Sequence, residues 1–158
     1  MLLAMVGDVV TMSLVSNKCE YALRAIFELG RRAGQDPIKV QDIASAQGIP
    51  PRFLEIILVE LRNGGFVLSR RGNNGGYILA RPPREISVGQ VIRLFQGDQD
   101  TPGQAKALSD MRAGDFAFSR LWERAQTAIA EVYDKTTFAD LLQDELLRGR
   151  KWVLNYVV

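Results

Sequence analysis

Histidine is absent from the chain, and cysteine occurs once, at Cys19. These absences exclude a histidine general base, a cysteine–histidine pair, and any zinc or iron–sulfur site built by one chain, since each needs imidazole or thiolate groups the sequence lacks. An intrachain disulfide is excluded too, which fits a reducing compartment. Long apolar runs are also missing. The opening MLLAMVGDVV is interrupted by Asp8 well short of a membrane span, and it lacks the basic segment and small-residue cleavage pattern of a secretory leader. The expectation is a cytoplasmic protein with no membrane anchor, no metal and no cofactor. A small enzyme finds no support, because no nucleophile is paired with a base. Asp140, Asp144 and Glu145 sit at helical spacing without a partner base and read as a solvated face.

With 158 residues, 47% of them hydrophobic and 24% charged, the chain can bury one sizeable core, with room for a small annex. The net charge of +2 is unevenly spread. Residues 12–83 carry ten Lys/Arg against six Asp/Glu, whereas 84–158 carry ten against eleven. The basic excess therefore lies in the first half.

In that half, SNKCEYALRAIFELGRRAG reads as a helix capped by Ser16, with Tyr21, Leu23, Ile26, Phe27 and Leu29 inward and Gly34 at its end. A short helix through Ile43 and Ala44 breaks at Gly48, and Pro51 opens the next, where Leu54, Ile57, Leu58 and Leu61 recur at i, i+3, i+4 and i+7 before Gly64 and Gly65. Two helices joined by a tight glycine turn form a helix-turn-helix. FVLSRR and YILAR then read as strands joined by a loop of glycine and asparagine, residues that tolerate positive φ. Helices followed by a hairpin give the winged-helix order. ISVGQVIRLFQG resumes helix from Ser87, with Val88, Val91, Ile92 and Phe95 inward, and residues 98–115 read as a loop or weak helix. A long helix spans Phe116 to Tyr133, and the last begins at Thr136 or Thr137.

The motifs YALRAIFELG, VQDIASAQGIPPRFLEIILVELRNGGFV, RRGNNGGYILAR, ISVGQVI, the Leu121–Trp122 pair and TTFADL occur in an order that resembles the IscR/NsrR/CymR family of bacterial winged-helix transcription regulators. The similarity covers residues 12–147. It implies a mainly α fold with a small β-hairpin, a winged helix-turn-helix plus a C-terminal dimerisation helix. It places a disordered extension at 1–11 ahead of a natural start at Met12, the DNA-binding domain at 12–83, a connecting helix and loop at 84–115, and the dimerisation helix with a last helix and tail at 116–158. Many members hold an iron–sulfur cluster through cysteines that would fall on Gln104, Asp110 and Phe116, with a fourth position at Ser119. None is a thiolate, so the chain resembles the clusterless branch.

The same resemblance assigns Glu55 as the recognition-helix glutamate, Arg52 as its neighbour and Arg71 as the wing arginine, while Pro50, Pro51 and Ile56 depart from the family's polar residues. By spacing, Arg52, Glu55, Ile56, Val59 and Arg62 lie on the outer face of the second helix of the motif. There arginine can pair with guanine, glutamate can accept from cytosine, and isoleucine can meet a thymine methyl. A solvated amphipathic helix has the same spacing. Arg70, Arg71 and Arg81, with Asn73 and Asn74 at the tip, would lie near phosphates or a minor groove; a merely solubilising hairpin is the plain alternative. As a phosphate-cradling loop the stretch lacks the lysine and Ser/Thr of a P-loop. Phe118, Trp122, Ala125, Ile129 and Val132 repeat at steps of four and three and are the expected dimer seam. Lys18 beside Cys19 would favour a redox-sensing thiolate, but packing is the preferred reading of a lone cysteine. The terminal LNYVV is expected to dock as a strand or to bury against a second copy. The reading is a homodimeric repressor binding double-stranded DNA, with a protein or small-molecule effector left open. The alternative is an interaction module of the same fold that docks a metabolic enzyme.

Overall fold

A computed structural model describes residues 14–34, 36–97 and 111–155, with side chains as far as 148. The expected extension at 1–11, residues 98–110 of the expected loop, and Tyr156 to Val158 lie outside the described residues. Helix α1 (Asn17–Arg31) starts where Ser16 Oγ accepts from the Cys19 amide at 3.2 Å. Its innermost face is Cys19, Ala22, Ala25, Ile26 and Leu29. Tyr21, Leu23 and Phe27, expected inward, are only half-buried on its flanks. Small side chains at the centre let neighbouring helices approach closely, and α1 packs against α2, α3, α4, α6 and the hairpin.

Helix α2 (Val40–Gln47) ends at Gly48, whose φ of 63° is the left-handed conformation glycine adopts without strain. Helix α3 (Pro51–Asn63) follows at once, and Leu54, Ile57, Leu58 and Leu61 are fully buried, as the spacing requires. Strands β1 (Val67–Arg70) and β2 (Gly76–Leu79) pair antiparallel with Val67 opposite Leu79 and Arg70 opposite Gly76. Ile38 adds a short third rung, exchanging backbone hydrogen bonds of 2.9 Å with Tyr77 in both directions. A Cβ on Gly76 would run into the Ile38 carbonyl, so the close approach depends on that glycine.

Helix α4 (Val88–Gln96) opens with a capping box in which Ser87 and Gln90 each bond the other's backbone amide. Helix α5 (Asp115–Lys135) leads to α6 (Phe138–Asn155), capped by Thr137 and Asp140. The starts of α4 and α6 are tied by backbone bonds, Val88 N–H to Thr136 O at 2.9 Å and Phe138 N–H to Ile86 O at 3.0 Å. Ile86, Val91 and Phe138 consequently join the same buried cluster as Leu54 and Ile57, so one core crosses the expected boundary at residue 83. Helix α6 runs on through Asn155, so Leu154 and Asn155 are helical, not the start of the strand that the LNYVV segment suggested.

Candidate nucleic-acid interface

Burial of one α3 face leaves the other to solvent: Arg52, Glu55, Ile56, Val59 and Arg62 are all exposed. Two prolines begin this surface. Pro51 occupies the first turn, where its missing N–H has no intrahelical acceptor to lose, and the Phe53 and Leu54 amides close onto Pro50 O at 3.0 Å each. The Phe53 ring, passed over in the sequence because Leu54 beside it claims the core, is 47% exposed and meets Tyr21 edge-on at 6.1 Å. On the side nearer α1, Glu60 pairs with Lys18 at 2.7 Å. That contact takes Lys18 away from Cys19, whose thiol is fully buried and is pushed up to about 11 by that burial. Cys19 is therefore a packed core residue, the preferred of the two readings, and the redox-sensing thiolate finds no support.

The hairpin leaves α3 through Gly64 and Gly65 and packs back on it. Arg70 ends β1, Arg71 starts the loop, and a turn closed by Gly75 N–H to Gly72 O at 2.9 Å puts Asn73 and Asn74 at the tip, all exposed. Neither asparagine uses the positive φ for which the sequence suggested it, because the only positive-φ residues described are glycines, Gly72 and Gly76 among them. Tyr77 packs on the core, while Ile78 pairs with Leu68 across the hairpin. Arg81 also has contacts within the fold. Its guanidinium lies over the Phe66 ring at 5.3 Å and donates to Glu85 O at 3.4 Å, which ties it to the fold at the hairpin's base.

Charge pairing separates the arginines. Arg24, Arg31, Arg32 and Arg93 each have a carboxylate partner. Among the described residues, Arg52, Arg62, Arg70 and Arg71 have none, and neither do Arg81, Arg120, Arg124 and Arg148, so it is the grouping of the first four on α3 and the hairpin that sets them apart. Four unneutralised guanidinium groups on α3 and the wing are suited to phosphates and guanine edges.

Glu28 has no part in the sequence reading, yet it positions this surface. It is fully buried on α1 and accepts from Arg31 Nη2 at 2.7 Å, Arg32 Nε at 2.7 Å and Gln47 Nε2 at 3.0 Å. Burial pushes its carboxyl up, but the hydrogen bonds from Arg31, Gln47 and Arg32 outweigh that and hold it below the ordinary value. The detectable signal was a glutamate between Ile26, Phe27 and Leu29, with arginines three and four residues on. Because Gln47 ends α2, the bond fixes the segment that turns into α3.

A family model for the Rrf2 family, described as "Iron-dependent Transcriptional regulator", matches residues 15–144. The chain belongs to the Rrf2 family. Within it, CymR of Bacillus subtilis is 35% identical over 127 residues, 80% of this chain and 88% of CymR. IscR of Sodalis glossinidius is 30% identical over 132 residues, 83% and 79% of the two chains. Among solved structures, T. potens IscR superposes with a TM-score of 0.69 at 38% identity, covering 82% of this chain and 86% of that one. B. subtilis CymR, described as the global cysteine regulator of its organism, superposes at 0.70 with 34% identity, covering 84% and 98%. As an Rrf2-family winged-helix protein, the chain is a DNA-binding transcription regulator and not an enzyme.

The family description names iron, but this chain's donors do not fit a cluster held by three cysteines. Its one thiol is enclosed in α1. Phe116 and Ser119, at two of the family's ligand places, offer no thiolate, and Gln104 and Asp110 lie outside the described residues. Among the described residues, no three His, Cys, Asp or Glu side chains gather to hold a metal. Nor is any helix described here long and apolar enough to cross a membrane.

Proposed function

We propose that the protein is a cytoplasmic, homodimeric repressor that reads a two-part operator with α3 in the major groove and the hairpin against the backbone. The observation that carries the reading is the exposed row Arg52, Glu55, Ile56 and Arg62, continued by Arg70, Arg71, Asn73 and Asn74, with the four arginines free of carboxylates among the described residues. In this arrangement Arg52 and Glu55 reach base edges from the N-terminal half of α3, where a recognition helix makes its base contacts. Arg70 and Arg71 neutralise phosphates, and Asn73 and Asn74 probe the groove beside them.

Dimerisation is supported by α5. None of its residues is buried, and Phe118, Trp122 and Val132 are 57%, 59% and 62% exposed, with Ala125 and Ile129 also outward. Phe118 and Trp122 stack at 6.4 Å along that face. An apolar helix side of this extent is stabilised by a partner helix. Two copies joined there would address half-sites about one helical turn apart.

The test is fluorescence anisotropy of the full chain with genomic and random duplexes at two salt concentrations, joined to a reporter gene behind the selected site. Tight, salt-dependent binding that prefers selected duplexes, with reporter output lowered by the protein, is the expected result. Equal affinity for all duplexes removes the operator-reading role, and raised output reverses the regulatory sign.

A further inference from the structure

The outer face of α3 is apolar at its middle, which phosphate contacts alone do not require. Arg52 and Arg62 stand toward its ends, with Glu55, Ile56 and Val59 between them. Ile56 is 57% exposed and Val59 40%, and neither belongs to the buried cluster. Leaving two β-branched aliphatic side chains in water on a helix gains nothing for folding, since burial is what would stabilise them and their branching lowers helix propensity.

Three kinds of surface could cover them. A protein partner is disfavoured by size and charge: stable interfaces bury about 800 Å² on each side and deplete charge at their centre. Here the aliphatic pair continues only to the Phe53 ring, which already meets Tyr21 edge-on, and it is bordered by unpaired Arg52 and Arg62. Phosphates are excluded by chemistry, since an aliphatic carbon offers them no donor. The major-groove floor presents hydrogen-bonding groups at every base pair and, among the standard bases, one apolar group, the C5-methyl of thymine.

We propose that Ile56, backed by Val59 one turn on, reads a thymine C5-methyl within each operator half-site; this rests on the interface proposed above. In a helix the isoleucine χ1 angle is confined to one well, so the side chain meets the methyl with little further loss of freedom. Glu55, adjacent to Ile56, bears a carboxylate that accepts from cytosine N4 and is repelled by phosphate, which sets the helix in register with the bases. The selectivity resides in a methyl group, so it can be separated from every hydrogen bond in the site.

Duplexes selected by the full chain from a random-sequence pool are resynthesised with single deoxyuridine-for-thymidine replacements, which remove only the methyl. Anisotropy titrations then compare the wild-type chain with Ile56→Ser and Ile56→Val, each checked for helicity by circular dichroism. In each half-site one replacement should weaken wild-type binding about fourfold, the value of burying one CH₂-sized group. Ile56→Val should keep that discrimination, and Ile56→Ser should bind the two duplexes equally. Enrichment of a defined site at which no replacement weakens the wild type, or equal loss in all three proteins, overturns the thymine reading and leaves the interface standing. Failure of any sequence to enrich removes the interface and this inference with it.

Discussion

Gln47, the last residue of α2, donates its side-chain N–H at 3.0 Å to the buried carboxylate of Glu28 on α1. The carboxylate is satisfied on all sides by Gln47, Arg31 and Arg32, so the end of α2 is held where the turn into α3 begins. Replacing Glu28 with alanine leaves the Gln47 amide without its acceptor and frees two arginines that can re-solvate. The cost should be about 1–3 kcal/mol in urea unfolding, the range for a lost buried polar partner. The pH dependence has a definite direction. Glu28's folded pKa lies below the ordinary 4.5, so its stabilisation is complete above that value and disappears as pH falls through the lowered one. Glu28→Gln should flatten the acid limb of the stability curve. An unchanged acid limb would show that the carboxylate is not charged in the folded state.

Much of this arrangement was legible in the sequence because it follows from periodicity and punctuation. Leu54, Ile57, Leu58 and Leu61 identify the buried face of α3, and Gly48, Pro51 and Gly64 bound its helix-turn-helix, since hydrophobic spacing and special backbone geometry are local. What depends on distant parts of the chain was hidden. The Glu28 network closes only when α1 meets α2, and the Ile38–Tyr77 rung that crowds Gly76 joins segments far apart. Arg81 looked like its neighbours Arg70 and Arg71, but Phe66 and Glu85 engage it in the fold. Phe138 reads locally as the start of a last helix, yet it is fully buried in the DNA-binding core. On the candidate interface itself, exposure was predictable for Arg52, Glu55, Ile56, Arg62, Arg70, Arg71, Asn73 and Asn74; which arginines lack partners was not.

Cys19 should behave as an inert core residue. Burial raises its thiol from 9.0 to about 11 and removes access as well, so thiol reagents at pH 8 should label it only as fast as the protein opens. Because the folded state holds the proton more tightly than the unfolded chain, stability should fall as pH climbs above 9.0. Labelling followed by mass spectrometry, with and without urea, checks the first point. Rapid modification of the native protein would mean that α1 exposes the thiol in solution.

The exposed seam on α5 makes a separable prediction for assembly. Trp122→Ser removes the largest apolar surface from the seam, and an aromatic hot spot of this kind costs roughly 30-fold or more in dissociation constant. Analytical ultracentrifugation should show the variant shifted towards monomer. Since Trp122 is 59% exposed, its circular dichroism should match the wild type. A monomeric wild-type chain would remove the dimer, and a variant that dimerises as well as the wild type would place the interface elsewhere.

Arg71 and Glu55 should fail in different ways, and that difference tests the division between wing and recognition helix. Arg71 is exposed and has no carboxylate partner among the described residues, and in the proposed complex its charge would displace a counterion without reading a base. Arg71→Ala should weaken binding to all duplexes alike and lower the slope of log affinity against log salt by about 1 for each wing engaged. Glu55 carries the same charge sign as the phosphates, so removing it cannot cost non-specific attraction. Glu55→Ala should keep the salt slope, hold or raise affinity for random duplexes, and lose about 1–3 kcal/mol of discrimination at one base pair of each half-site. Salt titrations on selected and scrambled duplexes separate the two signatures. If Arg71→Ala changes base preference while leaving the salt slope intact, the hairpin reads bases and its assignment to the backbone is wrong.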